Sequence, residues 1–210
     1  MKIVATVVNA REAAFAAGLG PDLLEVRIDL MDANPEVEVP SIRSAWKRPV
    51  ILTNRSTAEG GRFRGDPGEW WESLHPLLRF GDLVDVERPF SSFSPEIRRQ
   101  GKKIIASLHT DTMPAAGDLS RMALELRRYG DIPKIVVRPG NEHDLLALLK
   151  FTLDAGKPIC IGVLGEAYRY ARVILPFFGS ELVYTHAGTP AAPGQFSLED
   201  FRKIQALLRT

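Results

Sequence analysis

The sequence has little of several features that would mark a special class of protein. Among its 210 residues there is one cysteine, Cys160, so no disulfide can form within the chain, which fits a reducing cytoplasm. Lys and Arg number 27 against 26 Asp and Glu, a formal charge of +1. This balance provides no excess of positive charge for binding to a phosphate backbone, and we expect no nucleic acid among its partners.

Long hydrophobic runs and metal-binding motifs are also missing. The first apolar run, Ile3 to Val8, is too short for the core of a signal peptide and far too short to span a bilayer. The sequence contains neither a His-Glu-x-x-His motif nor a pair of cysteines, so it offers no readable metal site. We therefore expect a soluble protein that is not exported, with no membrane partner and no metal.

Eight short β-rich runs alternate with helical patterns along the whole chain. The runs lie at 2–8, 23–28, 50–53, 83–87, 103–108, 132–137, 158–163 and 182–185. Apolar spacings of three and four between them, as at Leu119, Met122 and Leu126, indicate amphipathic helices. This alternation is typical of a parallel sheet covered by helices, and eight units predict a single (β/α)8 TIM barrel over residues 1–210.

The predicted barrel is at the short end of its class, with about 26 residues per unit. Its weakest helix lies between Asn34 and Arg48, where Pro35 and Pro40 predict little more than one turn. An open doubly wound sheet is the structural alternative, but no Gly-x-Gly-x-x-Gly motif follows the first strand.

Polar residues of the strands occupy the face that should point into the barrel. Residues two apart in a strand share a face, so Glu25 and Arg27 lie opposite the apolar residues of their strand. The same rule directs polar groups of five strands into one lumen: Glu25, Arg27, Asp29, Thr53, Arg55, Asp85, Glu87, Ser107, His109 and Lys134. Because unpaired buried charges are costly, we expect one network near the C-terminal mouth, where barrel enzymes keep their chemistry. A purely structural ion network is compatible with each pair taken alone.

Lys134 and His109 are the most informative members of this set. A lysine inside an otherwise apolar strand and beside Arg27 or Arg55 would lose proton affinity through burial and like charge, which makes an amine nucleophilic near neutral pH. His109, at the end of its strand, suits either a proton-transfer role or a hydrogen-bonded core imidazole.

Several motifs in order resemble those of the type I 3-dehydroquinate dehydratase family, Schiff-base enzymes of the shikimate pathway. These motifs are Glu25–Asp29, Thr53–Ser56 leading to Glu59–Gly61, Ser107–His109, Asp131–Lys134, Arg172 ahead of Phe178–Ser180, and Ala192–Gln195. The similarity extends from the second strand to the last helix.

The resemblance implies a reaction and the residues that perform it. It implies that Lys134 forms the imine, that His109 is the general acid and base, and that Glu59 orients His109. It implies substrate contacts by Glu25, Arg27, Arg55, Arg172 and Gln195. The reaction is then the loss of water from 3-dehydroquinate to give 3-dehydroshikimate, without a cofactor, in a cytoplasmic homodimer that serves aromatic amino acid biosynthesis.

Two stretches depart from the family pattern, and two other functions compete with it. Ala191 stands where the family usually has serine, and Tyr168 to Ala171 alter the segment before Arg172. A class I aldolase or transaldolase would also use Lys134 but would make less use of His109. A catalytically silent barrel that acts as a binding partner is the alternative from outside the enzymes.

Overall fold

The computed structural model describes residues 1–208, and its eight parallel strands form one sheet that is rolled into a (β/α)8 barrel. The strands are β1 (Lys2–Val7), β2 (Leu23–Arg27), β3 (Val50–Thr53), β4 (Leu83–Glu87), β5 (Lys103–His109), β6 (Ile132–Val137), β7 (Cys160–Val163) and β8 (Leu182–His186). Each predicted strand is found, and no boundary differs from the prediction by more than two residues. The predicted barrel architecture is therefore confirmed; Arg209 and Thr210, which belong to the predicted 1–210 unit, lie outside the described residues.

The sheet runs in the order β7-β6-β5-β4-β3-β2-β1-β8, so its two ends are β7 and β8. Isolated hydrogen bonds bridge these two ends. The Ile161 N–H donates to Ser180 Oγ at 2.9 Å, and the Glu181 N–H donates to the Ile159 carbonyl at 2.7 Å. The hydroxyl of Ser180 thus satisfies backbone groups at the one seam where a regular ladder is not formed.

The helices surround the barrel and pack their apolar faces against the strands. They are α1 (Ala10–Leu19), α2 (Pro35–Ala45), α3 (Pro67–Leu74), α4 (Ser94–Arg99), α5 (Ala116–Arg127), α6 (Glu142–Asp154), α7 (Ala171–Ile174) and α8 (Leu198–Leu208). At the start of α8 the Asp200 N–H donates to Ser197 Oγ at 3.0 Å, the capping contact that the Ser-x-x-Asp spacing favours.

The prediction of a very short second helix is wrong, since α2 has 11 residues. Pro35 lies in its first turn, where a missing N–H costs nothing, and Asn34 caps the helix by accepting the Glu36 N–H at 2.9 Å. Pro40 removes only one hydrogen bond within the helix. The buried side chains of Val39 and Ile42 anchor α2 to the core and outweigh that loss.

The barrel interior is divided into an apolar floor and a polar mouth. Val4, Ile51, Ile105 and other buried apolar residues form the floor at the N-terminal ends of the strands. The next inward positions are polar and at most 5% exposed: Thr6, Glu25, Thr53, Asp85, Ser107 and Lys134. The site therefore begins one layer above a dry floor, at the C-terminal side of the barrel.

Candidate active site

Asp85 is the centre of a buried network of charges that crosses the lumen. Its Oδ1 accepts hydrogen bonds from Arg55 Nη2 at 2.8 Å and from Ser107 Oγ at 2.5 Å, and its Oδ2 accepts one from Lys134 Nζ at 3.0 Å. Burial alone would raise the pKa of Asp85, but the two cations and the hydroxyl hold it below its ordinary value. Asp85 is thus ionised and fixes both cations in place.

Two arginines beside this centre are paired with carboxylates. Arg55 Nη1 lies 3.0 Å from Glu87 and 3.3 Å from Glu59, in addition to the bond from Nη2 to Asp85. Arg27 binds both oxygens of Asp29 at 2.8 Å each. These guanidiniums hold the carboxylates around the lumen in place. The substrate contacts that the resemblance implies for Arg27 and Arg55 remain predictions.

Lys134 projects from β6 into the lumen and is 5% exposed. The structure places two carboxylates beside its Nζ, Asp85 at 3.0 Å and Glu25 at 3.9 Å. Glu25 is held in turn by the hydroxyls of Thr6 at 2.8 Å and Thr53 at 3.0 Å. The charged groups nearest Nζ are therefore carboxylates, and Arg55, which was expected beside Lys134, binds the other oxygen of Asp85.

His109 and Glu59 form a proton-sharing pair above Lys134. The distance between His109 Nδ1 and Glu59 Oε2 is 2.7 Å, and the same oxygen accepts the His109 backbone N–H at 3.1 Å. Burial raises the pKa of Glu59 to about 8, although Arg55 opposes the shift. Burial, with the charges of Arg55 and Lys134, lowers the pKa of His109 well below its ordinary value. Near neutral pH the two side chains therefore share one titratable proton, which lies mainly on Glu59. When that proton is lost near pH 8, Nε2 of His109 is free to accept a proton.

The turn that carries Glu59 depends on the two glycines that follow it. Gly60 has φ 82°, a left-handed conformation that favours glycine. A Cβ on Gly61 would lie 2.1 Å from the Arg55 carbonyl oxygen, so only glycine fits there. The tight turn brings Glu59 back over Arg55 and within reach of His109.

The predicted site residues meet in one cavity of about 90 Å³ and in an outer cavity of about 200 Å³ that adjoins it. The inner cavity is lined by seven of them: Lys134, His109, Glu25, Arg27, Arg55, Arg172 and Gln195. Glu59 lines the outer cavity together with His109. Apolar residues also line the inner cavity, among them Val136, Leu164 and Pro176.

Arg172 and Gln195 lie at the rim of the inner cavity. Arg172 Nη2 donates weakly to the Pro193 carbonyl at 3.5 Å, while its Nε is buried and has no hydrogen-bond partner within residues 1–208. Burial lowers the pKa of Arg172 to about 10, so the side chain is still a cation at neutral pH. Gln195 donates from Nε2 to Thr6 Oγ1 at 3.3 Å and accepts the Ala191 N–H at 2.8 Å. The guanidinium of Arg172 is consequently suited to bind an anion.

Tyr184 and Thr6 also belong to the site, and the sequence analysis missed both. The Tyr184 ring lies 4.0 Å from Lys134 Nζ, and Thr6 links Gln195 to Glu25. The strand period of two could have found them, but the sequence analysis applied it to β2 through β6 and not to β1 and β8, which carry Thr6 and Tyr184.

No helix in the described part of the chain is long and apolar enough to cross a membrane.

The chain is similar in sequence and in fold to 3-dehydroquinate dehydratases. The family model described as type I 3-dehydroquinase matches residues 3–210. A 3-dehydroquinate dehydratase from Methanoregula boonei is 49% identical over 208 residues, covering 99% of this chain and 100% of that protein. One from Methanospirillum hungatei is 35% identical over 208 residues, covering 99% and 81%. The crystal structure of 3-dehydroquinate dehydratase from Geobacillus kaustophilus has a TM-score of 0.89 at 26% identity, covering 99% of this chain and 91% of that chain.

Proposed function

The chain belongs to the type I 3-dehydroquinase family and is a hydro-lyase with 3-dehydroquinate dehydratase activity, and we propose that it performs this reaction through an imine on Lys134. The observation that carries the proposal is the position of Lys134, a buried lysine in the same cavity as His109. The pathway served is aromatic amino acid biosynthesis, through the conversion of 3-dehydroquinate to 3-dehydroshikimate.

The proposed reaction uses Lys134 to turn the substrate ketone into an electron sink. The ammonium first gives up one proton, and the nitrogen lone pair then forms a bond to the ketone carbon. The ketone oxygen takes up the proton that the ammonium gave up and a second proton from the nitrogen and leaves as water, and a protonated imine with one N–H remains. Its positive charge acidifies the adjacent carbon, so a modest base can take a proton from that carbon.

The pair of His109 and Glu59 is proposed to move the protons. When Glu59 is ionised, its Oε2 accepts a hydrogen bond from the Nδ1–H of His109. This hydrogen bond leaves the lone pair on Nε2, which is directed toward the cavity. His109 takes the proton from the carbon beside the imine and then returns it to the departing hydroxyl, which leaves as water. Hydrolysis of the remaining imine releases the product and restores Lys134.

Arg172 is proposed to bind the substrate carboxylate. Its guanidinium lies at the rim of the cavity, and its Nε lacks a partner in the described part of the chain. A planar guanidinium can bind a carboxylate through two parallel hydrogen bonds. Gln195, Glu25, Arg27 and Arg55 are proposed as further contacts because they line the same cavity.

The aldolase or transaldolase alternative explains less of the geometry. Both would use Lys134, but neither accounts for a histidine and a glutamate whose nitrogen and oxygen lie 2.7 Å apart beside it. A catalytically silent barrel would not need this pair.

We also propose the domain organisation, the location, the oligomeric state and the cofactor requirement of the protein. We infer from the family resemblance that residues 1–210 form one catalytic domain, that the protein is a cytoplasmic homodimer and that no cofactor takes part. Light scattering coupled to size-exclusion chromatography tests the dimer, and a monomeric mass would contradict it.

The test of the proposed function is turnover of 3-dehydroquinate, measured as the new enone absorbance of the product. Lys134→Ala should lose essentially all activity, a fall of about 10⁴-fold or more, as for the loss of a nucleophile. Lys150→Ala is the matched control, because Lys150 is an exposed lysine that pairs with Asp154 on α6. Equal activity of both variants would contradict the role of Lys134.

A further inference from the structure

We propose that Tyr184 is a positioning residue for Lys134, and that its aromatic ring stabilises the positive charge on Nζ both as the ammonium and as the protonated imine. This inference rests on the proposed imine chemistry of Lys134. It goes further, because it assigns a role to a residue on the wall opposite the carboxylates.

The two residues lie on strands that have only β7 between them. Tyr184 lies on β8, opposite Val4 of β1 in the ladder, while Lys134 lies on β6. The ring centroid is 4.0 Å from Nζ, well within the ~6 Å at which a cation is attracted to the face of an aromatic ring. Lys134 is only 5% exposed, so water weakens this attraction little.

The hydroxyl of Tyr184 is not the group that connects it to the site. The oxygen is buried and has no hydrogen-bond partner among residues 1–208. Burial raises the pKa of Tyr184 well above its ordinary value, so the hydroxyl remains uncharged. The ring is consequently the part of Tyr184 that acts on Lys134.

An aromatic ring at this position stabilises the positive charge on Nζ during imine formation, when the hydrogen bonds to the carboxylates are reduced. The ammonium has three N–H donors, and it uses one of them to hydrogen-bond Asp85 at 3.0 Å. A protonated imine keeps a single N–H, so most of the hydrogen-bonding capacity of the nitrogen is lost when the imine forms. The attraction to the ring depends on the charge and not on the number of protons. It therefore persists through the step in which the hydrogen bonds are rearranged.

Several other groups bear on the charge of Lys134, and they come from every neighbouring strand. They are Glu25 of β2, Arg55 after β3, Asp85 of β4, His109 of β5 and Cys160 of β7. A substitution at position 184 replaces none of these residues. The comparison of variants at position 184 therefore varies the ring against one set of charged neighbours.

The experiment compares Tyr184→Phe with Tyr184→Leu in the full-length enzyme. For each we measure kcat and the pH at which borohydride trapping of the substrate on Lys134 is half-maximal. Tyr184→Phe keeps the ring and should retain kcat within about threefold, since the lost hydroxyl has no partner. Tyr184→Leu should lower kcat by about 10- to 30-fold, the factor that a desolvated cation–π contact supplies, and should shift half-maximal trapping about one unit toward lower pH.

The outcomes separate this inference from the proposed function. Suppose that the wild type is trapped at Lys134 and that Tyr184→Leu matches the wild type in kcat and in trapping pH. That result would overturn the role of the ring and leave the imine chemistry standing. Equal losses in Tyr184→Phe and Tyr184→Leu would assign the effect to the hydroxyl and also overturn it. Failure to trap the wild type would overturn the imine chemistry, and this inference with it. If Tyr184→Leu does not fold, as judged by thermal unfolding, Tyr184→Met provides the same comparison.

Discussion

The two walls of the barrel lumen differ in how completely their polar groups are paired. On the charged wall, formed by Glu25, Arg55, Asp85, Ser107 and Lys134, every side chain binds at least one other member of the wall or a neighbouring hydroxyl. On the open wall, formed by Leu164, Pro176, Tyr184 and the rim residue Arg172, the surface is largely apolar. Two of its polar atoms, Arg172 Nε and the Tyr184 hydroxyl oxygen, have no partner in the described part of the chain.

We expect this difference to divide the proposed chemistry at Lys134 from the proposed binding of the substrate carboxylate by Arg172. The charged wall is pre-organised, because cross-strand hydrogen bonds hold Lys134 in place before any substrate arrives. The open wall keeps an unengaged guanidinium donor and apolar surface available for a ligand. We expect changes on the charged wall to affect chemistry and folding, and changes on the open wall to have smaller effects, mainly on binding.

After the loss of Lys134 itself, the largest expected effect concerns proton transfer beside the charged wall. His109→Ala should lower kcat by about 10² to 10⁴-fold, the range for a general acid–base group. Imine trapping on Lys134 should survive, because the nucleophile and its partner Asp85 are untouched. His143→Ala on the exposed face of α6 is the control and should leave kcat unchanged. Normal turnover by His109→Ala would show that His109 is a structural residue of the core and not the general acid–base group.

The next effect tests how far the folded state depends on the charged wall. Asp85→Asn leaves Arg55 and Lys134 without their shared buried carboxylate and should lower the free energy of unfolding by about 3 to 5 kcal/mol. Asp111→Asn is the matched control, since Asp111 pairs with Arg138 at 2.9 Å on the surface, where a pair contributes about 0 to 1 kcal/mol. Urea denaturation measures both. Equal losses in the two variants would mean that the buried network is no more important to stability than a surface ion pair.

The charged wall and the open wall were not equally predictable from the sequence. Alternation with a period of two placed Glu25, Asp85 and Lys134 on one face, because a charge on an otherwise apolar strand stands out. Tyr184 does not stand out in the same way. Its contact with Lys134 joins residues of β8 and β6, and no local sequence pattern predicts such a contact. Glu59 lies in a turn without periodicity, so only the family resemblance connected it with His109.

A smaller effect on the rate should appear as a change in pH dependence. The pair of His109 and Glu59 becomes a base only after losing the proton that Glu59 holds with a pKa of about 8, so kcat should rise with pH and level off above 8. In Glu59→Gln the side chain no longer titrates, and the rise should move to lower pH, toward the depressed pKa of His109. A pH profile of kcat checks this. An unchanged midpoint near 8 in Glu59→Gln would show that another group controls the rate.

The smallest effect is expected on the open wall, at the position where the family usually has serine. Ala191 lines the cavity, and Ala191→Ser adds a hydroxyl that should improve kcat/KM by about 2- to 10-fold, as for one neutral hydrogen bond. Thr189 does not already supply this group, because its hydroxyl donates to Glu12 at 3.1 Å. Thr189→Val should therefore leave the gain unchanged. The absence of any gain, with or without Thr189→Val, would show that this loop does not touch the substrate.

The most direct test of the charged wall as the seat of catalysis is covalent capture of the substrate. Borohydride added to the enzyme during turnover should reduce the imine and fix one substrate- or product-sized increment on the chain, as seen in the intact mass. Peptide mapping should assign that increment to Lys134, the lysine that the structure buries beside Asp85 and Glu25. Labelling of a different lysine, or no labelling of an enzyme that turns over 3-dehydroquinate, would contradict the account.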